Sequence, residues 1–179
     1  MRDIKTEFLA ASFGYLVNNG LETMSIRNLC KNTGISIGSV YYWFEGKDDL
    51  TVSATEYGID SVVSDFVDFA ISKSKNIDDF LDKFMLIMKQ YSDKIKFICQ
   101  VVSSPVYGEK LRHKSSSFRA VYDKYALVFS ERMNCPYDDT RAIFYMMASV
   151  VLDYSVWGSE ESTKLQIEYI RGLVRNLAK

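Results

Sequence analysis

The sequence predicts an all-α fold of about nine helices, with three short helices in the N-terminal part and a longer helical bundle after them. Apolar residues recur at spacings of three and four along most of the chain, which is the period of helices with one face against a core. Breakers are scarce, with 2 Pro and 9 Gly in 179 residues, and that suits long helices joined by short turns. No alternation of apolar and polar residues runs far enough to read as a strand.

A first helix is expected over residues 3–19, where Ile4, Phe8, Ala11 and Tyr15 form a stripe widened by Leu9, Leu16 and Val17. Asn18-Asn19-Gly20 ends it, with Gly20 placed for a left-handed cap. Ser25 is the N-cap of a short helix, Ile26 to Asn32, stopped by Thr33-Gly34. Ser36 caps the next, Ile37 to about Phe44, which Glu45-Gly46 breaks. A long helix then starts at Lys47 and runs to residue 70 or beyond, with Asp48 and Asp49 in the first turn, where the helix dipole favours acids. Gly58 inside it costs about 1 kcal/mol relative to Ala.

Further along, Ile77, Phe80, Leu81, Phe84, Ile87, Met88 and Tyr91 mark a helix over 77–91, and Lys94 to Ser103 a separate short apolar one ended by Pro105. Glu109 to Met133 reads as one long helix with Leu111, Phe118, Val121, Tyr122, Tyr125 and Phe129 inward. After the turn Asn134-Cys135-Pro136, a helix over 138–157 is apolar almost all round, and Gly158 stops it. The last helix, 160–178, carries Leu165, Tyr169, Ile170, Leu173, Val174 and Leu177. The natural seam lies near Gly46-Lys47, giving domains of 1–46 and 47–179.

Composition narrows the function classes. No apolar run approaches the roughly 20 residues a membrane span needs, and the N-terminal Met-Arg-Asp-Ile-Lys-Thr-Glu lacks the pattern of a signal peptide. A cytoplasmic protein with no membrane partner is expected. Cys30, Cys99 and Cys135 are odd in number and far apart, with neither a CxxC pair nor a His cluster, so free thiols are expected rather than disulfides, and no metal or cofactor. No nucleophile elbow, phosphate-binding loop, HExxH or Cys–His pair at motif spacing is present, which argues against an enzyme. The net charge of −1 argues against a protein that coats nucleic acid without specificity. A few well-placed cations are nevertheless enough to hold one major groove.

Ser25 to Phe44 has the spacing of a helix-turn-helix: short helix, glycine turn, short helix. Cys30 is small enough for the contact between the two helices and Gly34 suits the turn, while Ile26, Leu29, Ile35, Val40 and Phe44 pin one helix on the other. Ser36, Ile37, Ser39, Tyr41, Tyr42 and Trp43 are then directed outward. Neighbouring helical residues point about 100 degrees apart, so one of the three consecutive aromatics has to lean inward. Exposed rings on a short helix suit a partner: the Tyr hydroxyls and the Trp indole N–H donate to phosphate oxygens while the rings pack on sugars.

Gly34-Ile35-Ser36-Ile37-Gly38-Ser39-Val40-Tyr41-Tyr42-Trp43-Phe44, followed by Lys47-Asp48-Asp49-Leu50, closely resembles the recognition-helix signature of the tetracycline-repressor (TetR) family, roughly G-V-S-x-G-x-L-Y-x-H-F and then K-x-x-L. Ser25-Ile26-Arg27-Asn28-Leu29-Cys30 is similar to that family's S-V-R-D-I-A. The first helix matches more weakly, through Phe8-Leu9, Ala11-Ser12 and Tyr15-Leu16. The likeness covers roughly the first 50 residues.

The resemblance implies an N-terminal three-helix DNA-binding domain with a C-terminal ligand-sensing and dimerisation bundle. The implied function is a ligand-responsive transcriptional regulator, a repressor released from its operator by a small hydrophobic effector. It assigns Ser25 and Arg27 to phosphate or base edges, Ser36, Ile37 and Ser39 to the major groove, Tyr41 and Trp43 to the DNA backbone, and Lys47 to a phosphate. Tyr42 joins this outward set. The sequence departs from the pattern at three positions: Trp43 stands for the common His, Met24 for a common Thr, and Ile37 where Lys is frequent. Ile37 is limited to touching a thymine methyl. Of the basic arm some members carry ahead of the first helix, only Arg2 and Lys5 are present. Residues 1–50 hold five cations (Arg2, Lys5, Arg27, Lys31, Lys47) against six acids (Asp3, Glu7, Glu22, Glu45, Asp48, Asp49), a net −1. Few phosphate contacts and a shallow salt dependence follow.

The all-round apolar run from Ala142 to Val151 suggests a helix covered on both sides. With the last helix it is expected to form half of a homodimer interface through 138–157 and 160–178, the arrangement usual in the family; the alternative is a central core helix of a monomer. A two-fold dimer would set its recognition helices about 34–36 Å apart. Phe84, Met88, Tyr91, Phe97, Tyr107, Phe118, Tyr122, Tyr125 and Met146 are candidates to line an apolar effector cavity, each of them also suited to ordinary core packing. His113 is expected at a solvated position, and Asp153 in a polar pair at the dimer seam rather than as anchor for a cationic effector. The mechanism the family implies is a population shift, in which effector binding moves the helix starting at Lys47 and alters the spacing of the recognition helices. The rival reading is a helix-turn-helix scaffold that acts through protein contacts instead of DNA.

Overall fold

The computed structural model of the protein describes residues 3–114, 123, 126–131 and 135–177, and every regular element among them is a helix. In chain order these are α1 (Ile4–Asn19), α2 (Ile26–Thr33), α3 (Ile37–Trp43), α4 (Lys47–Ser72), α5 (Ile77–Ser103), α6 (Gly108–Lys114), α7 (126–131), α8 (Tyr137–Trp157) and α9 (Glu160–Leu177). Start and stop signals act as their chemistry requires. Ser25 and Ser36 cap α2 and α3 through side-chain oxygens that accept backbone N–H groups. Gly34 (φ 72°, ψ 8°) and Gly158 (φ 69°, ψ 14°) take the left-handed conformation that ends α2 and α8. Gly20 differs from the expected left-handed cap: its φ is 80° but its ψ is 169°, so the chain leaves α1 in an extended direction.

Two expected helices, 77–91 and 94–103, are one continuous α5. Ser92 and Asp93 interrupt the apolar stripe without interrupting the backbone: Asp93 is exposed and lies 4.0 Å from Lys96, an i,i+3 pair on the outer face. Of the helix expected over 109–133, the first part is α6 and a later part α7. Phe118, Val121, Tyr122 and Tyr125 lie outside the described residues. The buried face of α1 is Phe8, Ser12, Phe13 and Leu16, whereas Ile4 and Ala11, expected inward, are exposed. On α9 the buried stripe is Thr163, Ile167, Ile170, Arg171 and Val174. Leu165 (74% exposed) and Tyr169 point to solvent instead.

The chain divides into two compact units, Met1–Ser61 with Phe97–Ser115, and Val62–Lys96 with Ser116–Lys179. The first therefore takes in more chain than the 1–46 expected from sequence. Its core explains why. Phe13 of α1 packs edge-on against Phe97 of α5, ring centres 5.9 Å apart, and meets Gly58 of α4 where no side chain intervenes. Leu50, Val52, Ala54 and Ile59 of α4 are buried with Phe8, Leu16, Leu29, Val40 and Phe44.

The second unit is built round a cluster of Phe80, Phe84, Met88, Phe129, Ile143, Met147, Val150, Ile167, Ile170 and Val174. The Phe80 and Phe84 ring centres lie 5.4 Å apart in a tilted arrangement, and Phe129 packs edge-on against Phe144 at 5.6 Å, geometries that suit ring quadrupoles. Arg171 ties α9 to α5. Its Nη1 donates to Asp78 Oδ1 at 2.8 Å, its Nη2 to Asp82 Oδ1 at 2.8 Å and its Nε to Glu168 Oε1 at 3.2 Å. No helix among the described residues is long and apolar enough to cross a membrane.

Candidate nucleic-acid interface

The N-terminal unit positions α3 from the capping residues outward. Ser25, in extended backbone, accepts from the Asn28 amide at 3.4 Å and so starts α2. The Gly34 N–H donates to the Cys30 carbonyl at 2.9 Å and closes the turn. Ser36 accepts from the Ser39 amide at 3.0 Å and starts α3. Leu29, Cys30, Val40 and Phe44 are buried, with Met24 and Phe8 beside them. That fixes α3 by its inner side and leaves the other side free. The Cys30 thiol is pushed up from its ordinary range by burial, so it acts as a small apolar contact residue. Met24 has its own partner: the buried Thr51 hydroxyl lies 2.9 Å from its Sδ.

On the outer side Ile37 is 43% exposed, Tyr41 58% and Tyr42 86%. Ser36, Arg27 and Lys47 are exposed, and Ser25 and Ser39 half-buried. Trp43 is the aromatic that leans inward: it is half-buried, its ring 6.2 Å from Phe8 and 6.4 Å from Phe44. The residue was expected outward with its neighbours, and the missing information was α1, whose Phe8 supplies the surface it rests on. Among the outward residues, Tyr42 is therefore the most accessible ring. The Ser36 and Ser39 hydroxyls lie 2.8 Å from each other.

Where α3 meets α4, the Glu45 amide donates to Asp49 Oδ2 at 3.1 Å. Lys5 lies over the Phe44 ring at 5.3 Å from its centre. In the first turn of α4, Asp48 accepts from Lys110 Nζ of α6 at 3.1 Å. The Tyr107 hydroxyl shares that carboxylate and is held above its usual range by burial and by the Asp48 charge. Lys110 of α6 and Tyr107, just ahead of that helix, make a polar hold on the start of α4 that no motif in the sequence announces.

The candidate effector residues fall in both units. Phe97 and Tyr107 belong to the first; Phe84, Met88, Tyr91 and Met146 belong to the second. Phe84 and Met88 sit in the buried cluster and Met146 packs against it. Tyr91 donates to Asp65 Oδ2 at 2.8 Å; burial first, and then that carboxylate, push its hydroxyl up to about 12. Phe118, Tyr122 and Tyr125 lie outside the described residues, as does the side chain of His113. Asp153 has its partner in its own chain, accepting from Gln166 Nε2 of α9 at 3.2 Å.

No family model matches the chain, and no curated protein matches it. Solved structures do. A putative transcriptional regulator from Streptomyces coelicolor is 16% identical, with 95% of this chain and 97% of that one covered and a TM-score of 0.64. A TetR transcriptional regulator from Legionella pneumophila is 17% identical, with 100% and 99% covered and a TM-score of 0.58. The fatty acid degradation regulator FadR from Bacillus halodurans is 14% identical, with 95% and 97% covered and a TM-score of 0.56. At these identities the likeness is one of fold: the chain has the all-helical fold of TetR-type transcriptional regulators over its whole length.

Proposed function

We propose that this protein is a DNA-binding transcriptional regulator of the tetracycline-repressor type, a repressor that works as a homodimer and leaves its operator when a small apolar effector binds. One observation carries the reading. Ile37, Tyr41 and Tyr42 are exposed on a helix held to its own unit by the completely buried Val40, with Tyr42 nearly opposite that anchor. A short helix that exposes large apolar and aromatic side chains next to an ordered turn is costly unless a partner covers it, and the second helix of a helix-turn-helix is the element that such proteins lay in a major groove. In this reading Arg27, Ser36, Ser39 and Lys47 accompany the outward rings on the duplex, with Ser25 and Trp43 at the margin.

Dimerisation is supported by two exposed stripes. Tyr145, Ser149, Leu152 and Val156 line up on α8, and Leu165, Tyr169 and Gly172 on α9, at helical spacing and on the outside. Trp157, 77% exposed, ends the first. Such a face matches an isologous two-fold contact. An apolar effector is supported by the aromatic cluster of the second unit, where Phe66, Phe80, Phe84, Phe129 and Phe144 supply flat, adaptable walls.

The test is enrichment of duplexes from a random-sequence pool by the full-length protein, followed by fluorescence anisotropy on the enriched duplex with and without 0.3 M added salt. A palindromic half-site pair and salt-sensitive binding are expected; the absence of any enriched duplex refutes the reading. The net charge of −1 over residues 1–50 favours the second reading, a scaffold acting through protein contacts, and that outcome would point to it.

A further inference from the structure

The side chains of α3 set how a duplex is read. Resting on the DNA-binding role proposed above, we infer that α3 recognises thymine methyl groups through Ile37, and not the hydrogen-bonding edges of the bases. The specific side-chain pairings in the major groove are bidentate: Arg or Lys on guanine, Asn or Gln on adenine, with Asp or Glu accepting from cytosine. None of these residues occurs in α3, whose sequence is Ile37-Gly38-Ser39-Val40-Tyr41-Tyr42-Trp43.

The remaining polar groups are few. The Ser36 oxygen accepts from the Ser39 amide at 3.0 Å, and the two hydroxyls lie 2.8 Å apart, so one of their two protons stays within the protein. A Tyr hydroxyl makes single contacts that do not separate one base pair from another in the way a fork does. Ile37, in contrast, is 43% exposed at the start of the helix. Beside it Gly38 carries no side chain, although one added there would meet nothing closer than Ser36 Oγ at 3.9 Å. The surface next to Ile37 is thus kept low, and a base pair can come close to its branched apolar end. The thymine 5-methyl is the apolar group that the major groove offers. The guanidinium of Arg27, exposed on α2, is left as the hydrogen-bonding reader.

The test uses the enriched duplex and the full-length protein. Each thymine of one half-site is replaced by uracil in turn, which removes the methyl and leaves the hydrogen-bonding pattern intact. One position is expected to lose about fourfold in affinity, the effect of a single buried methyl-sized group. Ile37→Ala is expected to bind the thymine duplex about as weakly as the unaltered protein binds the uracil one, and to lose discrimination between the two. Ile37→Val is expected to keep part of it. Equal binding of uracil and thymine duplexes at every position overturns the inference and leaves the DNA-binding reading standing, as does thymine preference that survives in Ile37→Ala. If the pool yields no enriched duplex, the DNA-binding reading fails and takes this inference with it.

Discussion

Gly58 of α4 lies so close beneath Phe13 of α1 that a Cβ added at position 58 would overlap Cε2, Cζ and Cδ2 of the ring. The glycine is the condition for α1 and α4 to meet. Gly58→Ala should destabilise the protein by about 1–3 kcal/mol through overpacking, despite the better helix propensity of Ala. Urea unfolding checks this. Phe13→Leu in the same chain should recover part of the loss, because the clash is with the ring.

Tyr42 and Trp43 are neighbours with different tasks. In the proposed DNA-binding role, Tyr42→Phe should weaken binding to the enriched duplex by about two- to tenfold, the range of one lost hydrogen bond, and leave stability unchanged. Trp43→Ala should lower stability as well, because the ring rests on Phe8. Anisotropy on the enriched duplex, set beside thermal melts of both variants, separates the two effects. Equal melting temperatures would contradict the packing assigned to Trp43.

Arg171 is buried, and its three carboxylate partners, Asp78, Asp82 and Glu168, are more exposed than it is. Arg171→Met should cost about 1–3 kcal/mol at neutral pH, the range for charged hydrogen bonds lost where the partners regain water. The pH dependence has a definite sign. Hydrogen bonds from Arg171 and then Arg175 hold Asp78 below its ordinary value of 3.8. Its contribution is therefore complete above about pH 3.8 and lost as pH falls through the lower folded value. The gap between the variant and the unaltered protein should narrow in acid, as measured by urea midpoints across that range.

Tyr91 titrates at the other end. Its folded value of about 12 lies above the ordinary 10.0, because burial and the Asp65 charge both disfavour the phenolate. The stabilisation is fully present below pH 10 and is lost as pH rises through about 12. Tyr91→Phe should remove the most alkaline step from the tyrosinate absorbance titration of the folded protein. Survival of that step in the variant would show that another tyrosine carries it.

Leu152 and Tyr169 belong to the outward stripes of α8 and α9. Leu152→Glu should weaken self-association by about 100-fold, since a charge at the centre of an apolar contact is desolvated without a partner. If the proposed dimer forms through this face, sedimentation should give a dimer for the unaltered chain and a monomer for the variant at the same concentration. An unchanged sedimentation coefficient would contradict the assignment of this face.

The N-terminal elements were legible because their signals are local. Ser25, Gly34 and Ser36 act on the few residues beside them, and their capping chemistry reads directly from sequence. Sequence shows that one of the three aromatics leans inward but not that it is Trp43, whose environment comes from Phe8, 35 positions earlier in the chain. The apolar stripe pauses at Ser92-Asp93 while α5 runs through them, because polar residues on an exposed helix face leave the backbone hydrogen bonds untouched. On α9 two apolar stripes coexist, one with Ile167, Ile170 and Val174, the other with Leu165 and Tyr169. Periodicity marks both as apolar and gives no means of telling a stripe covered by its own chain from one left open. Arg171, which reads as a surface cation, is buried because α5 brings Asp78 and Asp82 to it across more than 80 residues.

The Gly158 turn places α8 and α9 side by side with a link of two residues, Gly158 and Ser159. Contacts between segments so near in sequence close quickly, ahead of those that join distant parts of the chain. The helical hairpin, together with its open stripes, is thus available while the rest of the bundle is still assembling. In the proposed homodimer that surface is the native contact, so recovery of the native protein should rise with protein concentration.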